Sequence, residues 1–218
     1  MAAWTPSPYQ EAIYAFTEKG QGNASVRAVA GSGKSSTMVE ATRFVPSSAS
    51  ILFLAFNRLI VDHLRSQMPP NGQALTTHSL ALRCIKAKHH FISVVDNSTE
   101  EVVQELLATL SGVPKRERNA VANMTGKLIS LVKATLVDYN SEQALRQLVE
   151  YYSLDLAEWE NLILALVPLA MQRSEANTNQ LDFDDMLYWM ARDEAVPVPS
   201  YDYIFVDESQ DMSAAQIQ

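Results

Sequence analysis

A glycine-rich turn, AVAGSGKSS at residues 28–36, limits most strongly what this chain can fold into. The apolar run SVRAVA (25–30) leads into it and predicts a buried strand, and GKSSTMVEATRF predicts a helix after it. Such a turn aims backbone N–H groups at phosphate oxygens, and the start of the helix adds partial positive charge. The segment predicts a phosphate-binding loop, with an ordinary glycine turn before a helix as the alternative.

The residue types in this loop suit phosphate groups bound together with Mg²⁺. Lys34 can reach the terminal phosphates, and the hydroxyl of Ser35 can bind Mg²⁺. The pattern G-x-x-x-x-G-K-[ST] fails only at its first position, which is Ala28. The candidate nucleotide-binding residues of the loop are Ala30, Gly31, Ser32, Gly33, Lys34, Ser35 and Ser36.

Apolar runs and helical patterns go on alternating after the loop. Further strands are predicted at 51–56, 73–77 and 201–208, and a helical pattern follows each of the first two. Alternation of this kind predicts an α/β fold, in which a parallel sheet of apolar strands is covered on both faces.

Residues 97–176 differ from the rest because they show helical periodicity and no convincing strand. Pro168 is expected to kink or end the last of these helices. We therefore predict an all-helical insertion at 97–176 within a discontinuous sheet domain made of 1–96 and 177–218, because a structureless connection of that length is improbable.

The acidic segment VDESQD (206–211) ends the last predicted strand. Asp207 is placed there to hold Mg²⁺, directly or through water, and Glu208 to orient and deprotonate an attacking water. Successive side chains of an extended strand face opposite ways, so the chain has to turn at this pair. An acidic loop without catalytic function is the alternative.

Gln10 in PSPYQEAIYAF has two interpretations. Ser7 as N-cap, Pro8 at the first helical position and Gln10 reaching back would form a capping box. A side-chain amide also offers a donor and an acceptor together, as an adenine edge requires. Local sequence favours the cap.

Charge is distributed unevenly along this chain of net charge −8. Residues 1–90 hold nine basic and four acidic side chains, whereas residues 139–218 hold three and fifteen. The clusters RCIKAKHH (83–90) and PKRER (114–118) are either parts of a basic binding surface or solvated helix faces.

A single cysteine, Cys84, excludes an intramolecular disulfide framework. The chain shows no signal peptide, and its longest apolar run is too short to cross a bilayer. These features predict a soluble intracellular protein without a membrane partner, located in the cytoplasm or, in a eukaryote, in the nucleus.

The ordered motifs resemble those of superfamily 1 DNA helicases of the UvrD/Rep type. TPSPYQ is similar to the family's glutamine motif, AVAGSGKSS to motif I, where alanine is common at position 28, and VDESQD to motif II. Between them, LAFNRLIVDHL (54–64), TTHSLA (76–81) and LDFDDMLYW (181–189) resemble motifs Ia and Ib and a segment before motif II. The resemblance covers about residues 5–218.

The resemblance implies a RecA-like domain with a helical insertion, ATP in its cleft and single-stranded, or partly duplex, DNA across the sheet's other edge. It assigns Gln10 to adenine and makes Gln210 a candidate for sensing nucleotide or for linking it to the DNA face. It assigns to DNA the residues Phe56, Asn57, Arg58, Thr76, His78 and Ser79. Core packing for Phe56 and helix capping or a buried hydrogen bond for His78 are the alternatives, and Asp182, Asp184 and Asp185 suit a helix N-terminus equally well.

Two departures from the family pattern are visible within the matched motifs. Thr77 stands where an aromatic residue is frequent, and Ser209 replaces a commoner alanine.

The family's later motifs, including a second RecA-like domain with arginine fingers, do not follow Gln218. The resemblance therefore implies the N-terminal ATP-binding part of a helicase, expected to bind ATP and Mg²⁺ but to hydrolyse ATP very slowly alone. A small-molecule kinase or another phosphate-loop phosphotransferase, and a non-catalytic nucleotide- or DNA-binding module, are the competing hypotheses.

Overall fold

The computed structural model describes residues 5–96, 98–177 and 179–218. The strands are β1 (Ile51–Ala55), β2 (Gly72–Thr76), β3 (Ser93–Val94), β4 (Gln180–Leu181) and β5 (Tyr203–Val206). The α-helices are α1 (Pro8–Lys19), α2 (Lys34–Ala41), α3 (Arg58–Arg65), α4 (Thr77–Lys88), α5 (Ser98–Thr109), α6 (Lys115–Thr135), α7 (Glu142–Tyr151), α8 (Glu160–Ala176), α9 (Phe183–Arg192) and α10 (Ala214–Ile217). Short 3₁₀ turns occur at Thr42–Phe44, Ala157–Trp159 and Ser209–Asp211.

A three-stranded parallel sheet, in the order β2-β1-β5, forms the framework of the first compact unit, which comprises 1–80 and 198–211. Ala55 is aligned with Thr76, and Leu54 with Val206, so all three strands end at the same edge. The parallel sheet of an α/β fold is thereby confirmed for β1, β2 and β5.

The core of this unit lies between the sheet and helices α2 and α3. Phe53, Ala55 and Ala74 of the strands pack with Val39 of α2 and with Val61 and Leu64 of α3. Val61 and Leu64 are three positions apart and therefore lie on one face of α3. This packing holds the start of α2 near the carboxyl edge of the strands.

The strand predicted at 25–30 is wrong. The segment forms no strand, and Val26 and Val29 are 53% and 78% exposed. An apolar run becomes a strand only where a neighbouring edge takes up its backbone hydrogen bonds, and this segment is not part of the β2-β1-β5 sheet. Apolar character alone therefore did not decide its conformation.

The second compact unit comprises 81–197 and 212–218 and is mostly helical. Helices α5, α6 and α8 pack against one another, and α6 also contacts α9 and α10. Its one short ladder among the described residues pairs β3 with β4 in parallel. Helix α8 continues through Pro168 to Ala176, so of the two expected effects of this proline, a kink or an end, the end is wrong.

The predicted boundaries of the insertion, 97 and 176, stay a prediction. The compact unit extends beyond that range, because it also includes β3, β4 and α9. The described residues of 97–176 form helices and connecting turns. Among the described residues, no helix is long and apolar enough to span a membrane.

Candidate functional site

The glycine-rich loop turns sharply before α2. Gly31 and Gly33 have φ angles of 75° and 82°, in the left-handed region that glycine adopts without strain. The Ser32 N–H donates to the Val29 carbonyl at 3.3 Å, which closes the turn. Because Gly33 precedes α2 without a capping side chain, the N–H groups of the first helical turn face the loop. Of the predicted loop residues, Ala30, Gly31, Ser32 and Ser36 are exposed.

The acidic pair lies where β5 ends and the chain reverses. Asp207 is buried, and its N–H donates to the Leu54 carbonyl at 3.0 Å, which extends the pairing with β1. Glu208 has a φ of 52°, a left-handed conformation that costs a non-glycine residue about 1–3 kcal/mol. The turn expected between these two residues is therefore present.

The start of α2 and the end of β5 meet in this unit. The Ser35 hydroxyl donates to Oδ2 of Asp207 at 2.7 Å, although 172 positions separate the two residues. Nζ of Lys34 lies 3.9 Å from Oε1 of Glu208, which is an ion-pair distance beyond direct hydrogen bonding. A hydroxyl, an ammonium and two carboxylates thus converge beside the N-terminus of one helix.

This set of side chains fits a nucleotide bound with Mg²⁺. Mg²⁺ prefers oxygen ligands and usually takes only one or two from the protein, the others coming from phosphate and water. Ser35 and Asp207 supply two such oxygens, already 2.7 Å apart. Among the described residues, no cluster of three or more His, Cys, Asp or Glu that could hold a metal ion is found.

Gln10 forms the predicted capping box and also contacts α2, the loop helix that follows the glycine-rich turn. Its Oε1 accepts from the Ser7 N–H at 2.9 Å, and the Ser7 hydroxyl accepts from the Gln10 N–H at 3.4 Å. Its Nε2 donates to the hydroxyl of Thr37 in α2 at 2.8 Å. Sequence reasoning missed Thr37; the available signal was its place in the first turn of the helix after GKSS.

Three predicted DNA-binding residues follow β1 at the carboxyl edge. Phe56 is 67% exposed, which rules out core packing for its ring. Asn57 caps α3, because its Oδ1 accepts from the Ile60 N–H at 2.9 Å. Arg58 is exposed and lies 3.9 Å from Asp62 on the same helix.

The other three predicted DNA-binding residues lie after β2, at the same edge. The Thr76 hydroxyl accepts from the Ser79 N–H at 3.1 Å and lies 2.9 Å from the Ser79 hydroxyl, so it caps the first turn of α4. His78 is half-buried. Both groups of candidates therefore lie at the edge of the sheet where β5 and its acidic pair also end, rather than at another edge as expected.

Gln210 lies two residues beyond the catalytic candidate Glu208. Its Nε2 donates to Oε2 of Glu208 at 2.6 Å and contacts Asp211 at 3.4 Å. The amide therefore orients the Glu208 carboxylate in this structure.

The three aspartates of LDFDDMLYW lie at the N-terminus of α9 in the second unit. Asp182 and Asp185 form a reciprocal capping box that opens α9. Lys133 of α6, only 2% exposed, lies 2.8 Å from Asp185 and 3.1 Å from Asp182. Burial raises the pKa of Asp185, whereas Lys133 and hydrogen bonds outweigh burial and lower the pKa of Asp182. Sequence reasoning missed Lys133 because lysine is rarely fully buried.

Of the two basic clusters, the second is engaged largely in local contacts. Arg116 pairs with the neighbouring Glu117, and Arg118 donates to the carbonyls of Val113 and Leu110 just beyond α5. In the first cluster, Lys88 forms an ion pair with Asp193 at 2.5 Å.

A family model described as an AAA domain matches residues 10–218. The chain belongs to the AAA domain family. This AAA domain is a P-loop NTPase domain of a kind found in UvrD/Rep-like helicases and in other P-loop NTPases. Such domains typically bind ATP with Mg²⁺. No significant match to this AAA domain was found among curated proteins.

Proposed function

We propose that this chain is the N-terminal ATP-binding part of an ATP-dependent superfamily 1 DNA helicase or translocase. The observation that carries the proposal is the meeting of Ser35 with Asp207 at 2.7 Å and of Lys34 with Glu208 at 3.9 Å. A helicase needs phosphate binding, metal binding and water activation at one place, and these four side chains supply the required groups.

Each of the four residues has a defined task in this proposal. Lys34 and the first N–H groups of α2 bind the phosphates, while Ser35 and Asp207 hold Mg²⁺. Bound Mg²⁺ would neutralise charge on the transferring phosphate. Glu208 orients the attacking water and accepts its proton, and its left-handed backbone turns the carboxylate out of the strand direction. Gln210 keeps that carboxylate in place through its 2.6 Å hydrogen bond.

Single-stranded DNA is the proposed second ligand, at the carboxyl edge formed by β1 and β2. Phe56 offers an exposed ring for stacking on a base, and Arg58 offers a charge for phosphate. Asn57 and Thr76 use their side-chain oxygens as helix caps. The amide N–H groups of Asn57 can therefore donate to DNA. His78 and Ser79 complete the proposed surface.

A second RecA-like domain is the proposed partner, because phosphoryl transfer of this kind uses an arginine that stabilises the transition state. In related enzymes that arginine accelerates the reaction roughly a thousandfold or more. We therefore expect the 218-residue chain to bind ATP and to hydrolyse it very slowly.

Nucleotide titration of the wild type and of Lys34→Ala, with Mg²⁺ present, tests the proposal. Removing the ammonium is expected to weaken ATP binding by roughly tenfold or more, because a charge-assisted hydrogen bond contributes about 1.5–3 kcal/mol. Lys127→Ala is the matched control, since it removes an exposed lysine from α6 in the second unit. Equal ATP affinities for wild type and Lys34→Ala would instead favour a non-catalytic module.

The product of the reaction distinguishes the helicase proposal from the competing kinase hypothesis. Slow release of phosphate from ATP without an acceptor, lost in Glu208→Gln, supports water as the nucleophile. Transfer of phosphate to an added small molecule in preference to water would contradict the helicase proposal.

A further inference from the structure

Thr37 is a buried threonine, 5% exposed, whose hydroxyl joins the loop helix to the amide of Gln10. We propose that Thr37 determines base specificity by fixing the orientation of that amide, so that the site prefers adenine over guanine nucleotides. The inference rests on the proposed function, because it requires that the nucleotide bind beside Gln10.

The direction of each hydrogen bond follows from groups that have only one possible role. The Gly33 carbonyl can only accept, and it lies 2.8 Å from the Thr37 hydroxyl, so that hydroxyl donates its single hydrogen there. Toward Gln10 the Thr37 oxygen can then only accept. The group that faces it at 2.8 Å must therefore be the NH₂ of Gln10.

The other end of the amide is determined independently. The Ser7 backbone N–H can only donate, and it lies 2.9 Å from Oε1 of Gln10. A flipped amide would place NH₂ against the Ser7 N–H and oxygen against the Thr37 oxygen. The contact with Ser7 would then be repulsive, and the Thr37 hydroxyl would have to give up its hydrogen bond to the Gly33 carbonyl in order to donate to that oxygen, so the observed orientation is favoured.

This orientation leaves a specific pair of hydrogen-bonding groups. Oε1 has two lone pairs and uses one for Ser7, and Nε2 has two hydrogens and uses one for Thr37. One acceptor and one donor therefore remain on the same amide. They match the amino group and N7 of adenine, whereas guanine presents two acceptors, O6 and N7, at the same edge.

Titration of the full 218-residue chain with ATP and with GTP, both with Mg²⁺, tests this assignment. In the wild type, GTP is expected to bind roughly tenfold to a hundredfold more weakly than ATP, because an unpaired acceptor would face Oε1. In Thr37→Val, which lacks the hydroxyl, the ATP-to-GTP affinity ratio is expected to fall by roughly tenfold. Thr37→Ser keeps the hydroxyl and is expected to have the wild-type ATP-to-GTP affinity ratio.

The matched control is Thr17→Val in α1. Thr17 is 6% exposed, and its hydroxyl donates to the Ile13 carbonyl at 3.0 Å, so the same buried group is lost without touching Gln10. Its ATP-to-GTP ratio should equal that of the wild type. A general loss of stability would move both valine variants alike, and only orientation of Gln10 would change the ratio in one.

A second variant keeps the test decisive if Thr37→Val does not fold. Gln10→Glu can still accept from the Ser7 N–H but cannot donate to N7, so it too should lose the preference for ATP. An unchanged ratio in Thr37→Val, or in Gln10→Glu if the first variant is unfolded, overturns the role of Thr37 while ATP binding persists. If the wild type binds neither nucleotide, the proposed function fails and this inference fails with it.

Discussion

At the scale of single residues, two sets of contacts join segments that are distant in sequence. The hydrogen bond from Ser35 to Asp207 joins the start of α2 to the end of β5. The buried ammonium of Lys133 contacts two carboxylates and the Thr99 hydroxyl. The first contact is part of the proposed catalytic site. The second lies in the other compact unit and has a structural role.

Asp207→Asn is expected to weaken the dependence of ATP binding on Mg²⁺. The substitution keeps the size of the side chain but removes the charge that holds a divalent cation. Calorimetric titration with ATP, with Mg²⁺ and with a chelator instead, measures the effect. Asp211→Asn, an exposed carboxylate in the following 3₁₀ turn, is the control. Full Mg²⁺ dependence in Asp207→Asn would remove Asp207 from the metal site.

Lys133→Ala is expected to lower the free energy of unfolding by about 3–5 kcal/mol, because two buried carboxylates would lose their counter-ion. Urea unfolding followed by circular dichroism measures the change. Lys127→Ala, on the exposed side of the same helix, is expected to change stability by no more than about 0.5 kcal/mol. Similar values for the two variants would contradict the role given to the buried ion cluster.

At the scale of elements, Glu175 of α8 connects two neighbouring segments. It accepts hydrogen bonds from Tyr139, after α6, at 2.7 Å and from Tyr188 of α9 at 2.8 Å. Burial, followed by the hydrogen bond to Glu175 and its charge, raises the pKa of Tyr139 from 10.0 to about 12. This carboxylate therefore favours the protonated tyrosine.

The raised pKa of Tyr139 has a definite consequence for stability. A group whose pKa is higher in the folded state contributes fully below its unfolded pKa, near 10, and loses that contribution as the pH rises to about 12. Glu175→Gln is expected to lower the pKa of Tyr139 and to reduce this alkaline loss. Phenolate absorbance during titration, with Tyr139→Phe to identify the transition, checks it. An unchanged Tyr139 transition in Glu175→Gln would contradict the assignment.

At the scale of the whole molecule, the carboxyl edge of the parallel sheet gathers both proposed ligand surfaces. Strand ends that are distant in sequence meet there because parallel strands finish at one edge. The acidic pair follows β5, while the proposed DNA-binding residues follow β1 and β2. Because the two surfaces use residues that follow different strands, substitutions can test binding of each ligand separately.

Phe56→Ala is expected to weaken binding of a single-stranded oligonucleotide by roughly fivefold to a hundredfold, because stacking of a base on an aromatic ring contributes about 1–3 kcal/mol. Fluorescence anisotropy at fixed salt concentration measures the affinity. Tyr151→Ala removes an aromatic ring that is 82% exposed in the second unit and serves as control. Equal losses in the two variants would argue against a stacking surface at Phe56.

Much of the fold and the site followed from sequence alone, because local patterns specify local structure. The runs of β1, β2 and β5 predicted strands, the GKSS segment predicted the start of α2, and the adjacent acids required the turn observed at Glu208. The family resemblance predicted adenine recognition by Gln10, whereas residue spacing alone predicted the capping box of Ser7 and Gln10. The functional roles of these residues stay predictions.

The tertiary structure decided which of the possible contacts exist. Residues 25–30 have the composition of a strand but no place in the β2-β1-β5 sheet, and Phe56 could have been buried but is exposed. Lys133 and Thr37 acquire their partners from segments 49 and 27 positions away. Sequence patterns report the preferences of neighbouring residues, whereas burial and long-range hydrogen bonds depend on which surfaces the folded chain brings together.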